Sequence, residues 1–182
     1  MNILEKFQTI QQQGQTTTEE ALQLFDELDT VDLDFMIGRW KGSGFHTNHP
    51  MDGLLETANW YGKEFINPEQ VHPLLFLDSN NKIFKVDPNP ILMNLTLRFP
   101  IPRNEAMKSV FTFMNPMMKT EESKARIRMM EHRQKISATM IYDYLPINDV
   151  FRKVDENIVL GLMDFKGMQQ PFFFVLKRDV LV

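Results

Sequence analysis

The chain contains no cysteine. That removes disulfides, thiolate nucleophiles and thiolate metal sites together, and fits a reducing compartment, so a cytoplasmic location is the expectation. No apolar run approaches the ~20 residues of a membrane-spanning helix. The start, Met1-Asn2-Ile3-Leu4-Glu5-Lys6, lacks the basic run and apolar core of a secretion signal. No serine sits in a GxSxG elbow, and Gly42-Ser43-Gly44 opens no helix and lacks the lysine-serine ending of a phosphate loop. Nucleophilic acyl transfer and nucleotide hydrolysis therefore drop out. Histidine spacing fits no zinc pattern, and the composition implies no cofactor.

What is present is an ordinary globular composition, 43% hydrophobic and 24% charged over 182 residues, enough for one domain spanning 1–182. Charge is uneven. Residues 1–90 hold 6 Lys/Arg against 14 Asp/Glu, and residues 91–182 hold 14 against 10. Arg98 to Lys135 alone carries nine cations and four anions, and six of the 13 methionines fall between Met107 and Met130, interleaved with Phe111, Phe113, Lys108, Lys119 and Lys124. Flexible thioethers beside positive charge suit a portal for an amphipathic anion or a patch touching membrane headgroups, with core filling beside a solvated basic face as the plainer reading. Nucleic acid is not an expected partner, because the net charge is -4 and no recognition motif accompanies the cluster.

Along the chain, Gln11-Gln12-Gln13-Gly14-Gln15 reads as a polar linker or frayed start. Thr17 and Glu20 have capping-box spacing, and Leu22, Phe25 and Leu28 recur near helical spacing, which predicts a helix from about Glu19 to Leu28. Glycines around Trp40 within Asp32 to Phe45 predict a bent first strand. Asp52 is expected to cap a second short helix whose face carries Leu54, Ala58 and Tyr61, ended by Gly62 and Pro68. Asp78-Ser79-Asn80-Asn81 joins a hairpin of Leu74 to Leu77 and Ile83 to Val86. Prolines 88, 90, 100 and 102 predict irregular backbone. From Lys124 in-out alternation is clean, and strands at Ile136 to Tyr144, Ile147 to Val154, Ile158 to Asp164 and Phe172 to Lys177 follow with short turns. The fold class expected is mostly β: an antiparallel up-and-down barrel with one or two short helices in the first half, closed by joining residues 30–90 to the meander of residues 120–180.

Gly38-Arg39-Trp40-Lys41-Gly42-Ser43-Gly44 reads GxWxGxG and resembles the GXWXG protein family, as do His49-Pro50-Met51-Asp52-Gly53 and Trp60-Tyr61-Gly62-Lys63. The second half, through Ala138 to Asp143, Pro146-Ile147, Asp149, Phe151-Arg152 and Gly161 to Asp164, resembles the uncharacterised domain that follows it in that family. More distantly, GxW on a first strand resembles the calycins and the nitrobindin-type haem barrels. The calycin resemblance implies that Trp40 plugs a closed barrel end under a basic residue of the last strand, Arg178 or Lys177, with Gly38, Gly42 and Gly44 structural. The nitrobindin resemblance stops short of haem, because no histidine follows His132 to supply its axial ligand.

Three functional readings follow. The leading one is a binding protein that holds a small apolar or amphipathic, in one version anionic, ligand inside the barrel, against Trp60, Tyr142 and Phe151 with polar help from Asp149, Arg152 and Asp164. Arg152 could face inward with Val150 and Val154, or outward, since the opposite face with Ile147 and Phe151 is as apolar. The second is an enzyme in which His49, Asp52, His72 and Asp143 converge for acid-base chemistry, against a plain role in holding loops. The third is an interaction or peripheral membrane module built on the basic Met/Phe segment. Oligomeric state is not legible.

Overall fold

Side chains of the last three strands alternate between two hydrophobic surroundings, and this alternation organises the molecule. In the computed structural model, which describes residues 2–88 and 118–179, the order is α1 (Ile3–Gln13), α2 (Thr18–Glu27), β1 (Asp29–Thr30), α3 (Leu33–Met36), β2 (Gly38–Gly44), α4 (Leu54–Thr57), β3 (Trp60–Asn67), β4 (Gln70–Leu77), β5 (Ile83–Lys85), β6 (Ala125–His132), β7 (Lys135–Tyr142), β8 (Ile147–Asp155), β9 (Ile158–Phe165) and β10 (Phe172–Arg178). Strands β2, β3, β4, β6, β7, β8, β9 and β10 pair antiparallel in that order, and β10 returns to β2. Eight strands thus close an up-and-down barrel that uses both halves of the chain. Closure removes the open edges that a meander would present. The thinnest seam is β4 against β6, which share one paired position, Val71 with Ala125.

On β8, β9 and β10 the inward set includes Ile147, Phe151, Val159, Met163, Phe172, Phe174 and Leu176. The outward set, Val150, Val154, Leu160, Leu162, Phe173 and Val175, is also buried, because α1 and α2 lie over it with Phe7, Leu24, Phe25 and Leu28. Each such side chain stabilises by about 1.5–3 kcal/mol when fully buried, so the two helices are part of the fold rather than an appendage.

Both helices begin with reciprocal capping boxes. Asn2 accepts from the Glu5 backbone and Thr17 from the Glu20 backbone, while each glutamate reaches back to the cap residue's N–H. The second helix lies within a residue of its expected start and end. The first was not expected. Gln11, Gln12 and Gln13 form its last turn, and Gly14 closes it in the left-handed conformation, φ +75°.

The helix expected from Asp52 to Tyr61 is corrected by the structure. Only Leu54–Thr57 is helical, its N-cap is Gly53, and from Trp60 the chain is strand β3. Asp52 is occupied elsewhere, accepting from the Thr47 and His49 backbone N–H groups. In the stretch expected as one bent strand, Asp32 caps the short helix α3 before β2 begins. The segment from Pro90 to Pro102 and most of the Met/Phe-rich run, from Met107 to Met117, lie outside the described residues. Among the described residues no helix is long and apolar enough to cross a membrane.

Candidate functional site

At the start of β2, Trp40 is fully buried in the inner core and donates its indole N–H to the Met36 carbonyl at 2.8 Å. The Arg178 guanidinium, rather than Lys177, lies across it, 4.2 Å from the ring centre, and donates to the carbonyls of Phe35 and Ile37. A partly buried cation over an indole stabilises by about 0.5–2 kcal/mol, and the two backbone bonds keep that charge satisfied. Gly38 sits beside the guanidinium, and Gly44 lies against Glu56 and His46. Gly42 has a more specific task, since a Cβ there would overlap the indole of Trp60, which lies flat on this strand.

Local backbone geometry in β3 builds the interior site. In a regular strand Trp60 and Lys63 would face opposite sides. Gly62, at φ +150°, sits where the register with β4 shifts, and a Cβ at that position would overlap the Trp40 carbonyl oxygen. The irregularity moves the alternation by one residue. Trp60, Lys63 and Phe65 consequently all point into the barrel.

Lys63 is 3% exposed and places its ammonium 2.8 Å from Asp149 Oδ2 of β8, which is 1% exposed. It also donates to the Pro73 carbonyl at 3.1 Å and to the Tyr142 hydroxyl of β7 at 3.4 Å. The rings of Trp60, Tyr142 and Phe174 surround it at 5.7, 5.7 and 5.0 Å. All three ammonium protons therefore have partners. Two neighbouring polar atoms do not: Asp149 Oδ1 and Trp60 Nε1 are buried without a hydrogen-bond partner. Leaving such a group unpaired costs about 1–3 kcal/mol.

Burial raises the Asp149 carboxyl above the usual carboxylate range despite the ammonium beside it. It raises the Tyr142 phenol well above its ordinary value, with the Asp149 charge adding to the effect, so the phenol stays protonated. The walls around the cluster are apolar, with Phe174 edge-on to both Trp60 and Phe151 and with Met140 buried alongside.

Of the ligand-contact candidates, Trp60, Tyr142, Asp149 and Phe151 meet in this interior, whereas Arg152 and Asp164 do not. Arg152 lies on the outer face beneath α2, 4.8 Å from the Phe25 ring, and donates to the carbonyls of Phe151 and His132. Its Nε has no partner, and it serves the helix-barrel contact. Asp164 is exposed on β9.

The four acid-base candidates fall into separate hydrogen-bond sets. His49 accepts at Nδ1 from the Met51 N–H and donates from Nε2 to the Gln170 carbonyl, while Asp52 accepts from the same loop, so this pair holds the turn after β2. His72 stands opposite Glu64 across the β3–β4 ladder, and Asp143 pairs with Arg126 at 3.3 Å. Burial lowers both His49 and His72 from the ordinary histidine value. Among the described residues no three histidine or carboxylate groups gather to hold a metal.

The residue missed by sequence reasoning is Lys63. A glycine inside a strand run is the signal for a bulge, but the helical spacing of Leu54, Ala58 and Tyr61 makes Gly62 read as a helix end and hides the strand that carries Lys63.

A closed antiparallel barrel with a buried indole under an arginine and a small polar cluster in an apolar interior fits a calycin-like architecture. Within it, residues 23–81 match the GXWXG protein family, and residues 123–178 match a domain of unknown function, DUF4334. No curated protein matches the chain. A crystal structure of a protein from Thermomonospora curvata is similar over 99% of this chain and 100% of its own, at 29% identity and a TM-score of 0.73.

Proposed function

We propose that the chain binds a small, mostly apolar molecule inside the barrel, and that the ligand carries one oxygen function, a hydroxyl or a carbonyl, that accepts from Trp60 Nε1, with the hydroxyl or an acidic C–H of the ligand facing Asp149 Oδ1. At eight strands a barrel interior is either filled by its own side chains or holds one small ligand. The observation that carries the reading is the pair of unpartnered buried atoms, an acceptor at Asp149 Oδ1 and a donor at Trp60 Nε1, beside one satisfied ammonium. A ligand hydroxyl can donate to the first and accept from the second. The anionic version of the ligand loses support, because Arg152 is outside and the Lys63 protons are already taken.

Native mass spectrometry of freshly purified protein, followed by organic extraction, tests this. The expected result is a bound species that is released by extraction, carries a hydroxyl or carbonyl, and is absent from the Lys63→Met/Asp149→Leu double variant. A bare protein mass and an empty extract would count against the reading.

A further inference from the structure

The same cluster holds more chemistry than a binding site needs. A buried ion pair repays its desolvation best when both carboxylate oxygens are hydrogen-bonded, yet one oxygen of Asp149 has no partner. An oxygen that only anchors a ligand requires one donor, yet two border the cluster: the unpartnered Trp60 N–H, and the Tyr142 O–H, whose oxygen accepts from Lys63 so that its own proton is not used in that bond. We propose that this site catalyses proton transfer at carbon next to a ketone, with Asp149 Oδ1 as the base and Tyr142 and Trp60 as donors to the developing enolate oxygen. The proposal rests on the binding reading above and names a substrate class for it: small apolar ketones with acidic α hydrogens.

The step balances without a further reactant. Asp149 Oδ1 takes the α proton and the C–H electron pair becomes the C=C bond. The carbonyl π pair moves onto oxygen, where the phenol and indole protons hydrogen-bond to it. Asp149 then returns the proton to the same carbon, or to the γ carbon where the ketone is β,γ-unsaturated, and the double bond shifts. The Lys63 ammonium takes no part in the proton transfer. It polarises the Tyr142 hydroxyl and opposes the effect of burial on the Asp149 carboxyl. Burial makes Asp149 a stronger base than an exposed carboxylate, the direction that general-base catalysis near neutral pH needs. No nucleophile or metal is required, in keeping with a chain that has no cysteine.

The test uses 2-tetralone, an apolar ketone with acidic α hydrogens, and follows its α-hydrogen exchange in D2O by NMR. Binding is read separately from tryptophan fluorescence. The expected result is exchange proportional to protein concentration, at least tenfold slower with Asp149→Asn and slowed with Tyr142→Phe, and a rate that falls on acidification as Asp149 takes up a proton. Because Asp149→Asn leaves Lys63 buried without a counter-ion, the Lys63→Met/Asp149→Leu variant, checked for native unfolding behaviour, is the second comparison and should also lose exchange. Exchange that is equal in the wild type and both variants overturns the proposal, since surface amines would then account for it. Fluorescence-detected binding without variant-sensitive exchange overturns the catalysis and leaves the binding reading standing. Absence of both binding and exchange overturns the ketone assignment, and the binding reading is then judged by the extraction experiment alone.

Discussion

Lys63 and Asp149 illustrate how a buried ion pair differs from an exposed one. Removing one partner strands the other charge in an apolar interior, so Lys63→Met should destabilise the protein by about 3–5 kcal/mol. Replacing both, as in Lys63→Met/Asp149→Leu, should recover most of that loss, because well-packed apolar groups of similar volume avoid the desolvation cost. Urea unfolding of the two single variants and the double variant measures the coupling. Additive losses would show that the two groups do not interact. At Gly42 even one methyl group is too much: Gly42→Ala drives a Cβ into the Trp60 ring and should cost about 1–3 kcal/mol, with an altered tryptophan emission. A change confined to stability, with no emission shift, would mean that Trp60 is not the group displaced.

At the scale of elements, the legible parts were those in which local chemistry and tertiary burial agree. The capping box at Thr17 and Glu20 is satisfied by backbone geometry alone, and α2 was accordingly predicted to within a residue. The five strands after position 124 lie close to their expected ranges because alternation and short turns speak together. The α1 helix was missed because its glutamines are polar all round in the last turn, although Asn2 and Glu5 carry the same capping signature. The stretch from Leu54 to Tyr61 misled for a different reason: Leu54, Ala58 and Tyr61 fit helical spacing, but Trp60 and Lys63 are recruited into the barrel wall through the Gly62 bulge. The inward face of β8 was undecidable from the sequence because α1 and α2 bury the outward one, and this is also where Arg152 went. Four members of the candidate interior, Trp60, Tyr142, Asp149 and Phe151, were legible as aromatic or charged residues on strands. Lys63, which connects them, was not. Phe7 is the buried anchor of α1 and stacks on Phe45 at 6.1 Å. Phe7→Ala should therefore cost about 3–5 kcal/mol in urea unfolding while leaving ligand retention by native mass spectrometry intact. Loss of ligand together with stability would show that the two cores are not independent.

For the whole molecule, burial lowers three histidines, His49, His72 and His132, below the ordinary value of 6.5. The native state then binds fewer protons than the unfolded chain in the window below 6.5, so these groups favour folding above it. That contribution is lost as pH falls through their folded-state values. Thermal unfolding between pH 7 and pH 5 should show Tm falling with acidification. Asp149, raised by burial, acts in the opposite sense wherever it titrates, so the histidine part is isolated by His72→Gln, which should shrink the fall. An unchanged pH slope in that variant would remove His72 from the account.

The central claim is that the barrel interior presents an unpaired acceptor and an unpaired donor to a ligand. A high-resolution crystal structure of the protein with its co-purified contents tests it most directly. The account predicts density for a compact organic molecule with an oxygen within hydrogen-bond distance of Trp60 Nε1 and a hydroxyl or a carbon next to a carbonyl against Asp149 Oδ1. An interior filled by side chains, or a single water bridging those two atoms with no further density, would contradict it.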